Sequence, residues 1–77
     1  MSIQALAEYV VCALVEDVAA ADVSVDEQGE GLMVRIDVAE ADRGALIGRG
    51  GRTIRALEVL LAVADRDGRP VAVDLVD

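Results

Sequence analysis

Residues 46–54 read Leu-Ile-Gly-Arg-Gly-Gly-Arg-Thr-Ile, with three glycines and two arginines packed into the six positions 48–53. Helix-like sequence flanks the stretch on both sides. Upstream, Ala39–Ile47 can form a short helix from about residue 41. Downstream, Ile54, Leu57, Leu61 and Ala64 recur at steps of three and four, which predicts a helix from Gly51 or Arg52 to about Ala64. A tight helix-to-helix connection needs backbone conformations that side chains disfavour, and glycine supplies them. That explains one glycine or two. It does not explain Arg49 and Arg52, or a turn that runs directly into the first turn of a helix. A helix N-terminus offers unpaired N–H groups and partial positive charge, a combination that holds phosphate. With no Cβ at Gly48, Gly50 and Gly51, a sugar-phosphate backbone could come close, and Arg49 and Arg52 add full charges.

Further out, the pattern continues to be regular. Ile3, Leu6, Ala7, Val10, Leu14 and Val18 form the apolar stripe of a helix predicted over residues 2–18, with Ser2 suited to cap its start. Val23 and Val25 alternate in a short strand over 22–26, and Gln28–Gly31 form the turn. Leu32, Val34, Ile36 and Val38 share one face of a second strand, with Met33, Arg35 and Asp37 on the other. Asp65–Arg69 is a polar loop with a turn glycine, and Pro70 opens a last strand in which Val71, Val73 and Leu75 alternate with Ala72, Asp74 and Val76. Each strand has one apolar face and each long helix one apolar stripe. The economical packing is an α+β domain, a three-stranded sheet with three helices on one face.

At 77 residues the chain has length for one small domain, taken as 1–77, and Cys12 is its lone cysteine, so no disulfide reinforces it. A single thiol in an apolar stretch points to a reducing, cytoplasmic setting. No apolar run approaches the roughly 18 residues of a membrane span, and the N-terminus lacks the basic start of a secretory signal. Apolar residues make up 55% of the chain, too many for disorder. The net charge of -8 argues at first against nucleic acid. Its distribution reverses that: Arg43, Arg49, Arg52 and Arg55 stand in a window without acids, a local +4, while the other three arginines face all fifteen acids, a net -12. Such an arrangement attracts an anion at one place and repels it elsewhere.

Three phosphate-binding loops compete for the glycine turn. A P-loop needs a glycine five positions before the glycine of Gly-Lys-Ser/Thr, but Leu46 stands there relative to Gly51 and the chain has no lysine. A dinucleotide-binding turn joins strand to helix and needs a third glycine where Thr53 stands. Gly-x-x-Gly between two helices fits Gly48-Arg49-Gly50-Gly51 and its setting. On Ile47-Gly48-Arg49-Gly50-Gly51-Arg52-Thr53-Ile54, with a strand and short helix before it and a helix and strand after it, the chain resembles a KH domain. The preceding helix and strand resemble the bacterial type II arrangement, in the order α-β-β-α-(GxxG)-α-β. The resemblance covers essentially the whole chain and extends to the small stand-alone KH proteins of the KhpA type.

That resemblance implies single-stranded RNA binding, with the loop clamping the backbone of about four nucleotides. It assigns Gly48, Arg49, Gly50 and Gly51 to the phosphate-holding loop. Ile47 and Ile54 become part of an apolar groove floor, although both also suit an ordinary core. Arg52 and Arg55 become helix contacts to backbone or bases, with Arg43 nearby, and Arg66 and Arg69 flank the groove. It also implies action in RNA regulation or within an RNA chaperone complex, a homodimer, and a larger KH-containing partner of the Jag type. Three features run against strong RNA binding: the acidic remainder, Glu58 one turn beyond Arg55, and the lack of Phe and Trp for stacking. Weak, salt-sensitive binding is therefore expected.

The last helix is apolar on a second side, through Ala56, Val59 and Val63. Small apolar residues are tolerated on a surface; the stripe also suits self-association or a partner. A KH-fold adaptor that binds protein and has little RNA affinity is thus the alternative to the RNA binder. Enzymatic chemistry is not expected: the chain has no histidine, Cys12 has no evident base, and the acids are spaced as surface charges. No cofactor is implied, and no Cys/His cluster suggests a metal.

Overall fold

A computed structural model of the protein describes residues 2–76; Met1 and Asp77, the ends of the expected 1–77 domain, lie outside the described residues. Helix α1 spans Ile3–Leu14, β1 Asp22–Gln28, β2 Gly31–Asp37, α2 Arg43–Ile47, α3 Arg52–Ala64 and β3 Val71–Leu75. The strands form one sheet in the order β1-β2-β3. β1 and β2 are antiparallel, joined by the two-residue turn Gly29–Glu30, with Val23 opposite Ile36 and Val25 opposite Val34. β2 and β3 are parallel, with Val34 opposite Val73. Parallel neighbours need a long crossover, and α2, the glycine turn and α3 supply it. The glycine turn is therefore the middle of the crossover.

The period of two along each strand places Val23, Val34 and Ile36 on the face that meets the helices, where Ala7 and Val11 of α1, Leu46 of α2 and Leu57 and Leu61 of α3 close the core. Val11, Val34 and Leu61 have no exposed surface, and burying each such side chain contributes about 1.5–3 kcal/mol. The opposite sheet face carries Asp22, Ser24, Asp26, Arg35, Asp37, Ala72 and Asp74, all exposed. The expected α+β arrangement with its helices on one face is the one observed.

Three local expectations are corrected. α1 ends at Leu14 instead of Val18, because the buried carboxylate of Asp42 accepts the backbone N–H groups of Glu16 at 3.0 Å and Asp17 at 3.1 Å. Those bonds hold the chain in a non-helical path, with Val15 extended at φ -97°, ψ 155°. The inner stripe of α1 is also rotated: Ala7, Val11 and Val15 are buried, whereas Leu14 and Val18 are 39% and 51% exposed. α1 is apolar over so much of its circumference that spacing alone left the centre of its buried face ambiguous. At the far end of α3, Ala64 is exposed. There Asp65 is buried and its carboxylate accepts from Arg69 three times, from the backbone N–H at 2.8 Å, Nε at 3.0 Å and Nη2 at 2.9 Å.

Candidate nucleic-acid interface

α2 ends where Gly48 takes φ 72°, ψ 173°, and its N–H donates to the Gly44 carbonyl at 2.9 Å. Gly50 follows at φ 63°, ψ 21° and Gly51 at φ 79°, ψ 16°, so three of four consecutive residues lie in conformations that L side chains rarely adopt. The Gly51 N–H donates to the Gly48 carbonyl at 3.2 Å, which closes the turn. α3 then starts with no side-chain cap, and the Gly50 N–H has no hydrogen-bond partner among the described residues.

The three glycines are not equivalent. A Cβ on Gly48 would lie 2.3 Å from Thr53 Oγ1 and 2.8 Å from the Thr53 nitrogen. The bare Cα there admits Thr53, not a ligand. A Cβ on Gly51 would lie 3.1 Å from Arg55 Nη1, so that glycine makes room for a guanidinium. Only at Gly50 does the missing side chain leave open space, with nothing within 4 Å. The sequence reading gave all three glycines one reason; the structure gives each its own.

The arginines divide as well. Arg49, Arg52 and Arg55 are exposed, and none of them forms an ion pair among the described residues. Arg35, by contrast, pairs with Asp26 at 3.6 Å, and Arg69 is held between Asp65 at 2.9 Å and Glu27 at 3.0 Å. The Arg69 side-chain hydrogen bonds, and after them its backbone N–H, hold the Asp65 carboxyl at a pKa of about 2. Asp65 and then Glu27 push the Arg69 guanidinium upward in turn. Arg69 is therefore a brace between β1 and the loop before β3, not a cation turned to the glycine turn. Arg43 is half-buried and donates from Nη1 to the Val76 carbonyl, which ties the start of α2 to the end of the last strand.

Ile47 is 38% exposed and Ile54 half-buried, so neither is sealed in the core and both present apolar surface beside the turn. Glu58 has a role its position in the sequence did not suggest: Oε2 accepts the Val73 N–H at 2.8 Å. On the far side of α3, Ala56, Val59 and Val63 are exposed, Val59 by 64% and Val63 by 79%. Leu60, 44% exposed, belongs with them. The sequence reading missed it, although its spacing, i+4 from Ala56 and i-3 from Val63, carried the signal.

A sheet backed by three helices, with an α3 that has no side-chain cap and is entered through a Gly-x-x-Gly turn, is the architecture of a type II KH domain. The chain belongs to the family described as KhpA/KhpB, KH domain, whose family model matches residues 4–75. It is similar to an RNA-binding protein KhpA from Halalkalibacterium halodurans, 36% identical over 73 residues that make up 94% of this chain and 96% of that protein. It is also similar to an RNA-binding protein KhpA from Leifsonia xyli subsp. xyli, 50% identical over 50 residues, 65% of this chain and 62% of that one.

Proposed function

We propose that this chain binds single-stranded RNA, with the sugar-phosphate backbone seated on Gly50 at the N-terminus of α3. The observation that carries the reading is the open space at Gly50, in a turn where Arg49, Arg52 and Arg55 are exposed and form no ion pair among the described residues. A phosphate there meets the Gly50 N–H and the positive end of a 13-residue helix. Arg49, Arg52 and Arg55 supply charge, and Ile47 and Ile54 supply an apolar floor, with Gly48 and Gly51 shaping the turn. Arg43 contributes through the anchoring of α2. Two relatives bear the name RNA-binding protein, which supports the same conclusion.

We assign the chain no chemistry of its own; it acts on RNA by binding, in RNA regulation or an RNA chaperone complex in the cytoplasm. No helix among the described residues is long and apolar enough to cross a membrane. The test is fluorescence anisotropy with short labelled single-stranded RNAs, for wild type and the double variant Arg49→Asp, Gly50→Asp. Aspartate tolerates the left-handed conformation better than most residues, and circular dichroism checks that the variant folds. Loss of binding by a folded variant is expected. Binding that survives in it would remove RNA from the turn.

A second reading has its own observation. The exposed stripe Ala56, Val59, Leu60 and Val63 lies on α3 away from the sheet and suits a protein partner, either a second copy of this chain or a larger KH-containing protein of the Jag type. The stripe runs along the same face of α3 as Arg52, so a protein partner there would adjoin the turn. If wild type binds no RNA at low salt, the adaptor role stands alone.

A further inference from the structure

Glu8 is the one charged residue among the 12 of α1, and Gln4 one turn before it is the one amide. Gln4 Nε2 donates to Glu8 Oε1 at 3.0 Å and to the Val23 carbonyl of β1 at 3.3 Å, so both lie on the flank that meets the sheet. Ala7 and Val11 enter the core, and Ile3, Leu6 and Val10 pack partly against it. The side turned away from the core is apolar as well. Ala5, Tyr9 and Ala13, at i, i+4 and i+8, are exposed, with Cys12 beside them. Tyr9, the only aromatic residue of the chain, is 71% exposed. Together with Glu8 these residues line a hollow on the outer surface of the helix. The small side chains of Ala5 and Ala13, one turn to either side of the ring, leave room for a large side chain from outside. A helix apolar on both sides is usually buried on both sides.

The charge around this face selects what can cover it. Arg35 is the first basic residue of the chain, and seven acids precede it. Glu8 stands at the rim of the hollow, and Glu16 and Asp17 follow the end of α1. None of the three pairs with a cation among the described residues. Such a surface repels RNA and anionic lipid, and two copies meeting α1 to α1 would set like charges against each other. It attracts a segment that carries an apolar stripe bordered by basic side chains.

We propose that the outer face of α1 docks a basic amphipathic helix of a partner protein, with Tyr9 as its central anchor. A tyrosine suits that place because its ring buries a large apolar area while its hydroxyl stays at the wet rim. Apolar side chains of the partner at i, i+3 and i+4 spacing settle over Ala5 and Ala13. Its lysines or arginines meet Glu8 along one flank and Glu16 and Asp17 at the end of α1, which fixes the direction of docking. Asp42 already holds the Glu16 and Asp17 N–H groups at 3.0 and 3.1 Å, so little backbone freedom is lost there when the partner arrives. The face serves this role whether or not the glycine turn holds RNA.

The probe is a synthetic peptide of about 14 residues, long enough to span α1, with a leucine stripe, lysines on its other side and no aromatic residue. Anisotropy of the labelled peptide gives the affinity, and the emission of Tyr9 reports where the peptide sits. Wild type is expected to bind it about ten-fold or more tightly than a scrambled peptide of the same composition. A version with glutamate in place of lysine should not bind. Tyr9→Lys should weaken binding about ten-fold or more. Asp74→Asn, on the sheet face opposite the helices, shifts the net charge by the same amount and should leave affinity within about two-fold. Equal loss in the two variants, equal binding of the scrambled peptide, or unchanged Tyr9 emission on binding would each overturn the proposal. Light scattering that showed free Tyr9→Lys lighter than free wild type would give the face to a second copy and overturn it too. Should Tyr9→Lys not fold by circular dichroism, the peptide comparison and the Tyr9 emission of wild type decide.

Discussion

Replacing Gly48 with alanine should damage the fold, while the same change at Gly50 should barely touch it. At Gly48 the backbone holds φ 72°, ψ 173°, a region essentially reserved for glycine, and an L residue there costs about 1–3 kcal/mol. The new Cβ also meets Thr53 at 2.3 Å to Oγ1, 2.8 Å to N and 2.9 Å to Cβ. Two of those atoms belong to the first turn of α3 and cannot swing aside, so overpacking adds about 1–3 kcal/mol. The sum, about 2–6 kcal/mol, compares with a total stability of about 4–12 kcal/mol for a chain of this length. At Gly50, φ 63°, ψ 21° is the left-handed helical region and nothing lies within 4 Å. Strain of about 1–2 kcal/mol there is partly offset because alanine restricts the unfolded chain. Thermal melts followed by circular dichroism should place Gly48→Ala about 10 °C or more below Gly50→Ala. Adding Thr53→Ala to Gly48→Ala should restore only part of the loss, because the contacts to N and Cβ persist. Melting temperatures of Gly48→Ala and Gly50→Ala within about 3 °C of each other would refute the assignment of Gly48 to Thr53 packing.

Asp42→Ala leaves the Glu16 and Asp17 N–H groups without their acceptor; a loss of about 1–3 kcal/mol is expected, checked by urea unfolding against Glu40→Ala, an exposed neighbour. Asp65 has a folded pKa of about 2 against an ordinary 3.8, so its contribution is complete above about pH 4 and is lost as pH falls towards 2. Asp65→Asn should therefore melt below wild type at pH 7, and the difference should shrink on acidification over that window. Val59→Glu and Val63→Glu place charge on residues 64% and 79% exposed; the fold should survive, and light scattering at micromolar concentration should show a shift to monomer. With about three phosphates neutralised by Arg49, Arg52 and Arg55, RNA affinity should fall with a log–log salt slope of about -2, read from anisotropy titrations; a flat response would contradict an electrostatic clamp.

Much of the molecule could be read along the chain because its rules are local. The alternation that puts Val34 and Ile36 inward and the spacing that puts Leu57 and Leu61 inward follow from backbone geometry, and the folded chain buries all four. The cluster of glycine and arginine at 48–52 marked the candidate site for the same reason, as composition concentrated in one turn. What the sequence could not contain is which distant group each polar side chain finds. Asp42 accepts the N–H of Glu16, 26 residues before it and just past the end of α1, and Glu58 caps a strand amide 15 residues after it. Arg69 is braced by Glu27, 42 residues away, while Arg49 in an equally charged neighbourhood meets no acid among the described residues. The glycines divide on the same principle: only after α3 packs against α2 does Thr53 fill the space at Gly48 and leave Gly50 open. Periodicity depends on the rise and turn of a single element, and one sequence suffices to show it. Pairing and open space depend on where elements meet, and only the tertiary structure decides that.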